Sequence, residues 1–235
     1  MPAFREASGI AASILKVLTH FGDIGDALEV IVADDGSDDG TPEAAEALGD
    51  ERVRVVRLDH HRGKGAAVRL GILEAAGAKV LVVDADLAIP LDVYGSLDER
   101  LRDGADVVIG SKELGRRSGK VTRPLMRTLM GRAFNLAVRA IVLPGILDTQ
   151  AGFKLYRAHA AREVARESRL DGFTYDVEML ALARMKGFRV QEVAVDCLQG
   201  AHTSVRALID SIRMLADLAR LRRRLGKVRG GVRHA

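Results

Sequence analysis

Two pairs of aspartates, each placed directly after a short apolar run, are the residues of this chain best suited to chemistry. One pair is Asp34 and Asp35 after the run 28–33, and the other is Asp84 and Asp86 after the run 81–83. Carboxylates can accept hydrogen bonds from a base or a ribose. Two carboxylates separated by one residue can also share a hard divalent cation, with a diphosphate completing the shell. The first pair therefore suits a hydrogen-bonded ligand, and the second suits a cation such as Mg²⁺.

Both pairs also have purely structural interpretations. The first belongs to the segment 34–41, DDGSDDGT, in which Gly36 and Gly40 would let the backbone approach a ligand closely. A strand-to-helix turn with Ser37 or Asp38 as N-cap would need the same residue types. An Asp-x-Asp triplet is common in solvated loops, so its place after a second strand is what favours a site.

The elements that would position these aspartates alternate between strands and helices. Short apolar, β-branched runs predict buried strands, and apolar residues at helical spacing predict amphipathic helices. The first helix has Ile14, Leu15 and Leu18 on its expected apolar face. The predicted strands are 28–33, 53–58, 81–83 and 106–109, and the predicted helices are 10–21, 65–76, 123–142 and 175–185. This alternation predicts an α/β fold with a mostly parallel sheet, whose ligands bind at the carboxyl ends of the strands.

Composition narrows the class of protein. The chain has 235 residues, 48% hydrophobic and 29% charged, which predicts one soluble globular domain with a substantial core. A single cysteine excludes an internal disulfide, and no secretory signal is visible, so we expect a cytoplasmic protein. No apolar run approaches the roughly 20 residues that span a bilayer.

Positive charge is concentrated at the C-terminus. The chain has a formal net charge of +4, and seven of its Lys and Arg residues follow Leu218 without any acid. We expect 218–235 to be a basic tail that contacts an anionic membrane surface, peripherally and at its cytoplasmic face. The alternative is a terminal helix whose apolar stripe packs on the sheet while its arginines are only solvated. Nucleic acid is not expected as a partner, because aromatic residues make up 4% and no binding motif accompanies the charge.

Seven further segments complete a recognisable pattern. They are 2–6 (PAFRE), 62–65 (RGKG), 110–112 (GSK), 148–155 (DTQAGFKL), 173–180 (FTYDVEML), 191–195 (QEVAV) and 200–204 (GAHTS). With the two acidic segments, they resemble a family 2 glycosyltransferase with the nucleotide-sugar-binding GT-A fold, from residue 2 to about 218. The likeness is greatest to dolichyl-phosphate β-glucosyltransferases among the polyprenyl-phosphate sugar synthases. Departures are Phe4 for Tyr, Arg5 for Asn, Lys112 for Arg, and Cys197 about where a tryptophan is expected.

The resemblance implies transfer of a hexose from a nucleotide sugar to a polyprenyl phosphate, with inversion. The implied donor is UDP-glucose, and GDP-mannose is the alternative. The implied donor-binding residues are Pro2, Ala3, Glu6, Asp35 and Lys64. The implied ligands of Mg²⁺ or Mn²⁺ are Asp84 and Asp86. The residues implied to act on the sugar or the acceptor are Asp148, Lys112, Arg123 and Arg127. Asp148 is either a base or a group that orients the sugar. An acceptor phosphate is already anionic at neutral pH, so it needs positioning more than proton abstraction.

Two other classes of function stay open. One is a related enzyme with a soluble acceptor, for which a general base would be essential. The other is a non-catalytic nucleotide-sugar-binding protein, against which the presence of both Asp84 and Asp86 argues. The resemblance also predicts that the glycosyltransferase domain, 1–217, has its first strand upstream of Pro2.

Two short motifs have less specific interpretations. A phosphate-binding P-loop ending at Lys64 would need glycine at position 58 and Ser or Thr at position 65, where the chain has Leu58 and Gly65. His60 and His61 could bind a metal, but no second histidine cluster accompanies them, so a solvated loop is the favoured interpretation.

Overall fold

The computed structural model describes residues 1–22, 27–117, 142–196 and 217–224. The strands within these ranges are β1 (Pro2–Ala3), β2 (Val30–Asp34), β3 (Val53–Arg57), β4 (Lys79–Val83), β5 (Val107–Ser111), β6 (Phe153–Arg157) and β7 (Val190–Ala194). The helices are α1 (Ile10–Gly22), α2 (Thr41–Glu46), α3 (Lys64–Glu74), α4 (Tyr94–Arg102), α5 (Lys112–Arg117), α6 (Ala158–Glu167) and α7 (Tyr175–Met185). A 3₁₀ turn, Leu91–Val93, precedes α4, and 217–224 form a further helix.

The strands form two hydrogen-bonded groups with the helices packed around them. The first has the order β1-β2-β3 and is parallel throughout. The second has the order β4-β6-β5-β7, in which β5 and β7 are parallel. Strand β6 lies between β4 and β5 and runs antiparallel to both. The predicted α/β fold is confirmed, and the reversed β6 is a feature that strand and helix periodicity did not predict.

Most predicted elements occur with shifts of one or two residues at their ends. The helix 175–185 is confirmed in full as α7, and 10–21 corresponds to α1. Of the predicted helix 123–142, all but the last residue lies outside the described residues. None of the helices in the described part of the chain is both long and apolar enough to cross a membrane.

Helix α1 shows how the apolar stripe selects its buried face. Ile10, Ile14, Val17 and Phe21 recur every three or four residues and are all buried against the first group of strands. Leu15 falls outside this stripe and is 51% exposed, so its predicted place on the apolar face is wrong.

Strand β1 is short and parallel to β2. Pro2 is paired with Ala33 and Ala3 with Asp34. The Met1 ammonium donates a hydrogen bond to the Ile31 carbonyl (2.9 Å). Residues 1–3 thus line the edge of β2 that leads to the first acidic pair, and the upstream strand stays a prediction.

Candidate active site

The segment 34–41 holds the loop that follows β1. The Ser37 hydroxyl accepts a hydrogen bond from the Arg5 backbone N–H (2.9 Å), and the Thr41 hydroxyl accepts one from the Glu6 N–H (2.8 Å). The polar side chains of this segment therefore fix the backbone that carries the predicted donor-binding residue Glu6.

Helix α2 begins without the predicted side-chain cap. Its N-cap residue is Gly40, and no side chain caps the helix there. Ser37 is engaged with the Arg5 N–H, and the Asp38 carboxylate pairs with the Arg5 guanidinium at 2.8 Å. The structural alternative, in which Ser37 or Asp38 caps α2, is therefore wrong, because the loop after β1 uses both side chains instead.

Asp35 is buried, and protein donors fill its carboxylate. The residue is 2% exposed. Its Oδ1 accepts the Arg62 N–H (2.8 Å), and its Oδ2 accepts the Gly63 N–H (2.8 Å). The His61 Nδ1 lies 2.8 Å from the same Oδ2. The His61 ring also stacks on Phe4, with ring centroids 3.9 Å apart and planes inclined by 23°.

Strand β1 contacts Asp35 through its backbone, and Pro2 precedes the contacting residue, Ala3. The Ala3 carbonyl accepts the Asp35 N–H at 2.9 Å, which continues the parallel pairing of β1 with β2. Three of the predicted donor-binding residues, Pro2, Ala3 and Asp35, are therefore adjacent.

The two glycines around Lys64 are required by a close neighbour. A Cβ on Gly63, whose φ is 126°, would lie 2.4 Å from the Asp171 carbonyl oxygen. A Cβ on Gly65 would lie 2.4 Å from the Leu170 carbonyl oxygen. The Gly65 N–H donates to the Asp171 carbonyl (2.7 Å). This tight contact fixes Lys64 as the first residue of α3.

Lys64 connects this region to the second aspartate pair. Its Nζ donates to Asp84 Oδ1 at 2.6 Å. The Asp84 side chain is 31% exposed, and Asp86 is exposed. Burial raises the pKa of Asp84, but the charge and hydrogen bond of Lys64, with the charges of Lys154 and Lys112, lower that pKa overall. Asp84 is therefore ionised at neutral pH, as a cation ligand must be.

Glu6 adds negative charge next to this pair. Burial and the charges of Asp86, Asp39 and Asp84 all raise the pKa of the Glu6 carboxyl. Mutual repulsion among carboxylates is relieved by a bound cation. The electrostatics around Asp84 and Asp86 thus fit the predicted divalent ion.

The number of protein ligands also fits. In the described ranges, no group of three or more His, Cys, Asp or Glu residues is arranged to hold a metal. Mg²⁺ commonly takes only one or two carboxylates and completes its shell with substrate phosphates and water. Asp84 and Asp86 suit such an ion, whereas the His61 imidazole lies against the Asp35 carboxylate.

Backbone strain lies beside both acidic pairs. Within the described residues, the non-glycine residues with positive φ are Arg5 (57°) and Leu87 (46°). Arg5 follows Phe4 in the loop next to Asp35, and Leu87 follows Asp86 in a turn. Such conformations cost of order 1–3 kcal/mol each and cluster at functional sites.

The motif 148–155 packs directly on Asp84. The Asp84 N–H donates to the Gly152 carbonyl (3.0 Å). A Cβ on Gly152 would lie 2.1 Å from Asp84 Oδ2. Only glycine therefore allows the Asp84 carboxylate its present position.

Asp148 is held at the start of α5. Its Oδ2 accepts the Lys112 N–H (2.9 Å), and its own N–H donates to Glu192 (2.9 Å). Glu192 also accepts the Leu147 N–H (2.8 Å). The structure thus brings Asp148 and Lys112 together, and Asp148 is held by a glutamate of β7 that sequence reasoning did not single out.

Arg123 and Arg127 lie outside the described residues, as do Cys197 and the segment 200–204. Their assigned roles stay predictions.

A buried ion pair supports the same motif and was not predicted. Lys154 Nζ donates to Asp176 Oδ1 and to the Ala151 carbonyl, each at 2.5 Å, and both charged side chains are almost fully buried. Burial raises the pKa of Asp176, against the opposing effect of Lys154. A lysine between the apolar residues Phe153 and Leu155 of β6 is the signal that could have revealed this pair.

Arg224 differs from the expected membrane-facing arginines. It pairs with the fully buried Glu178, and its Nη2 donates to the Glu167 carbonyl (2.6 Å). Leu218 and Leu221 on the same helix are buried in the core. The outward orientation expected for the arginines after Leu218 is therefore wrong for Arg224.

Comparison with known proteins identifies the family. The sequence profile described as glycosyl transferase family 2 matches residues 1–165, and the chain belongs to that family. A dolichyl-phosphate beta-glucosyltransferase of Drosophila melanogaster is 37% identical over 177 residues, which cover 71% of this chain and 54% of the relative. The human dolichyl-phosphate beta-glucosyltransferase is 34% identical over 178 residues, with 72% and 55% covered. The chain spans about half the length of these relatives.

Solved structures confirm the fold. Glucosyl-3-phosphoglycerate synthase from Mycobacterium tuberculosis, in complex with Mn²⁺, UDP-glucose and phosphoglyceric acid, matches with a TM-score of 0.67. The match has 22% sequence identity and covers 94% of this chain and 77% of that one. It confirms the predicted single-domain GT-A arrangement.

Proposed function

We propose that the chain transfers glucose from UDP-glucose to a polyprenyl phosphate, with inversion at the sugar carbon. The observation that carries the proposal is the hydrogen bond from Lys64 to Asp84, because it joins the region around Asp35 to the predicted cation pair. The relatives named dolichyl-phosphate beta-glucosyltransferase support the sugar and the class of acceptor.

The donor spans both acidic pairs in this proposal. Asp35, with the backbone of Pro2 and Ala3, receives the nucleoside, and Glu6 borders it. Asp84 and Asp86 hold Mg²⁺ or Mn²⁺, which when bound neutralises charge on the diphosphate. Mn²⁺ and UDP-glucose occur together in the glucosyl-3-phosphoglycerate synthase complex, which supports this choice of cation and donor. Lys64 adds a fixed positive charge beside the same diphosphate.

The acceptor phosphate supplies the nucleophile. One of its anionic oxygens attacks the sugar carbon from the face opposite the diphosphate, and the bond to the diphosphate breaks with its electron pair. Lys112 contributes a cation whose charge already reaches Asp84, and Arg123 and Arg127 complete the phosphate contact. Because this nucleophile needs no proton removed, Asp148 orients the sugar while its Oδ2 stays bonded to the Lys112 N–H.

Access to the lipid comes from the anionic membrane surface, through the basic residues after Arg224. Deleting 225–235 removes Lys227, Arg229 and Arg233 but keeps Leu221 and Arg224 on the core. We expect this deletion to weaken binding to anionic vesicles, and added salt to weaken it for the intact chain. Unchanged vesicle binding at low salt would reject the contact.

A transfer assay tests the whole proposal. Radiolabelled UDP-glucose or GDP-mannose is incubated with the protein, Mn²⁺ and a short polyprenyl phosphate, and the organic phase is counted. We expect label from UDP-glucose in the lipid, and none with the Asp86→Asn variant. Label from GDP-mannose alone would change the donor. When 3-phosphoglycerate is supplied beside the lipid and the aqueous phase is also analysed, transfer to 3-phosphoglycerate instead of the lipid would change the acceptor. Nucleotide binding without any transfer would indicate the non-catalytic alternative.

A further inference from the structure

We infer that the His61 side chain occupies the position of the donor's nucleobase and must rotate away before the donor can bind. This inference rests on the proposed function, specifically on Asp35 as the nucleoside contact. It assigns to His61 a control of donor affinity that neither the resemblance nor the relatives attribute to it.

The first observation is the stack on Phe4. The imidazole lies nearly parallel to the Phe4 ring, with centroids 3.9 Å apart. That spacing is one van der Waals layer, so this face of Phe4 has no room for a second planar ring. A nucleobase can stack on the same face only after His61 has left.

The second observation is the bond to Asp35. His61 Nδ1 lies 2.8 Å from Oδ2, and the other donors to this carboxylate among the described residues are the backbone N–H groups of Arg62 and Gly63. Asp35 is 2% exposed, so with the imidazole in place the carboxylate has almost no surface left for another donor. A base that donates an N–H to Asp35 must therefore take the place of the imidazole.

An aromatic ring with an N–H in its plane, stacked on Phe4 and bonded to Asp35, has the same contacts that a uracil ring would make. The rival arrangement places the base on the outer face of His61, whose side chain is 56% exposed. In that arrangement the base cannot reach Asp35, because the imidazole stands between them. The two arrangements predict opposite effects of removing the imidazole.

Replacement of the imidazole by a nucleobase requires movement of the His61 side chain only. A Cβ on Gly36 would lie 2.5 Å from the His60 carbonyl carbon and 2.7 Å from the His61 backbone nitrogen. The backbone of residues 60–61 therefore packs closely against Gly36. The bonds from Arg62 and Gly63 to Asp35 hold the next two residues. Rotation of the exposed imidazole into solvent is the movement that leaves these contacts intact.

The test is titration of UDP with Mn²⁺ into the wild-type chain and the His61→Ala variant, followed by calorimetry. Donor binding to the wild type must break the contact of the imidazole with the Asp35 carboxylate and one ring stack, so we expect UDP to bind the variant about five- to tenfold more tightly. Mn²⁺ with inorganic pyrophosphate should bind both proteins equally, because it does not reach Phe4. His61→Asn, whose amide cannot stack on Phe4 as the imidazole does, should also bind UDP more tightly.

His60→Ala is the matched control, since His60 is exposed in the same loop. It should bind UDP as the wild type does. Equal or weaker UDP binding by both His61 variants, with melting temperatures near that of the wild type, would overturn the inference and leave the proposed function standing. Failure of the wild type and the variants alike to bind UDP or GDP would instead reject the nucleoside role of Asp35, and with it both proposals.

Discussion

The acids after β2 and the acids after β4 look alike in the sequence but have different surroundings. Asp34 and Asp35 are buried, and protein groups donate to both, including the Ser37 N–H at 3.0 Å from Asp34 Oδ2. Asp84 is partly exposed and takes one ammonium group, and Asp86 is exposed. The first pair thus holds the fold together, whereas the second pair keeps oxygen atoms available.

Asp35 lies between these two cases. Its backbone donors, Arg62 and Gly63, cannot leave without unfolding a loop, but His61 can rotate away. An acid at a strand end can therefore bind a ligand only to the extent that its protein donors can be displaced. Lys64, a single side-chain donor on Asp84, fits the same rule.

The largest effect that separates the two pairs should come from Asp84→Asn and Asp86→Asn. Each removes a charged cation ligand, so we expect transfer to fall by about a hundredfold or more, as several kcal/mol of charge stabilisation is lost. Mn²⁺-dependent UDP binding, followed by calorimetry, should weaken in parallel. The melting temperature of the exposed Asp86 variant should hardly change. Undiminished turnover in either variant, with Mn²⁺ present, would contradict the metal role.

A smaller loss should follow Gly152→Ala. The new Cβ would lie 2.1 Å from Asp84 Oδ2, so the carboxylate must shift. A displacement of about 1 Å near the reaction centre can lower the reaction rate by up to about two orders of magnitude. We expect about a tenfold loss of transfer. Gly172→Ala is the control, because a Cβ there has nothing within 4 Å. Equal rates for the two variants would mean that the position of Asp84 is unimportant.

A substitution in the first pair should lower the stability of the fold. Asp34→Asn keeps the shape of the side chain but removes a buried charge that accepts the Ser37 N–H and lies 3.3 Å from Arg57 Nε. We expect a loss of about 1–3 kcal/mol in the free energy of unfolding, measured with urea. Asp38→Asn, in an exposed pair with Arg5, should cost much less. A stable Asp34→Asn chain that had lost Mn²⁺ binding would reverse the distinction between the pairs.

Local sequence patterns predicted the strand-end acids well. Asp35 and Asp84 could be placed at strand ends because a few consecutive apolar residues are enough to predict a buried strand. The adjacency of Asp35 to Pro2 and Ala3 followed from the family resemblance. The insertion of β6 between β4 and β5 could not be read locally, since antiparallel pairing joins residues distant in the chain.

Long-range partners of ordinary acids were missed for a related reason. Glu192, Asp171 and Glu178 carry no periodic signal, and each acts on backbone or arginine groups that only the folded chain brings near. His61 was weighed as a metal ligand or a solvated residue, and neither interpretation includes a bond to Asp35. Tertiary packing, not residue type, gave these side chains their roles.

The smallest expected effect concerns Asp171, in the segment that supports the residues between the Asp35 site and the Asp84 site. Asp171 pairs with Arg62 (2.9 Å) and Arg69 (2.5 Å), beside the glycines that fix Lys64. Partial burial raises the pKa of Asp171, but the hydrogen bonds from Arg69 and Arg62 lower it overall. A lowered folded-state pKa gives stability that is present above the unfolded-state value of about 4 and is lost as the pH falls through the folded-state pKa.

Asp171→Asn should therefore lower the free energy of unfolding at pH 7 by about 1 kcal/mol or less, because the pair is partly exposed and screened. The difference from the wild type should shrink below about pH 4 and disappear once the folded-state carboxyl is protonated. Urea unfolding at several pH values measures it, with Asp59→Asn, an exposed acid of the neighbouring loop, as the control. A difference that does not change with pH would show that Asp171 supports this segment through its backbone carbonyl alone. The link from Asp35 to Asp84 would then rest on the glycine contacts and not on charge.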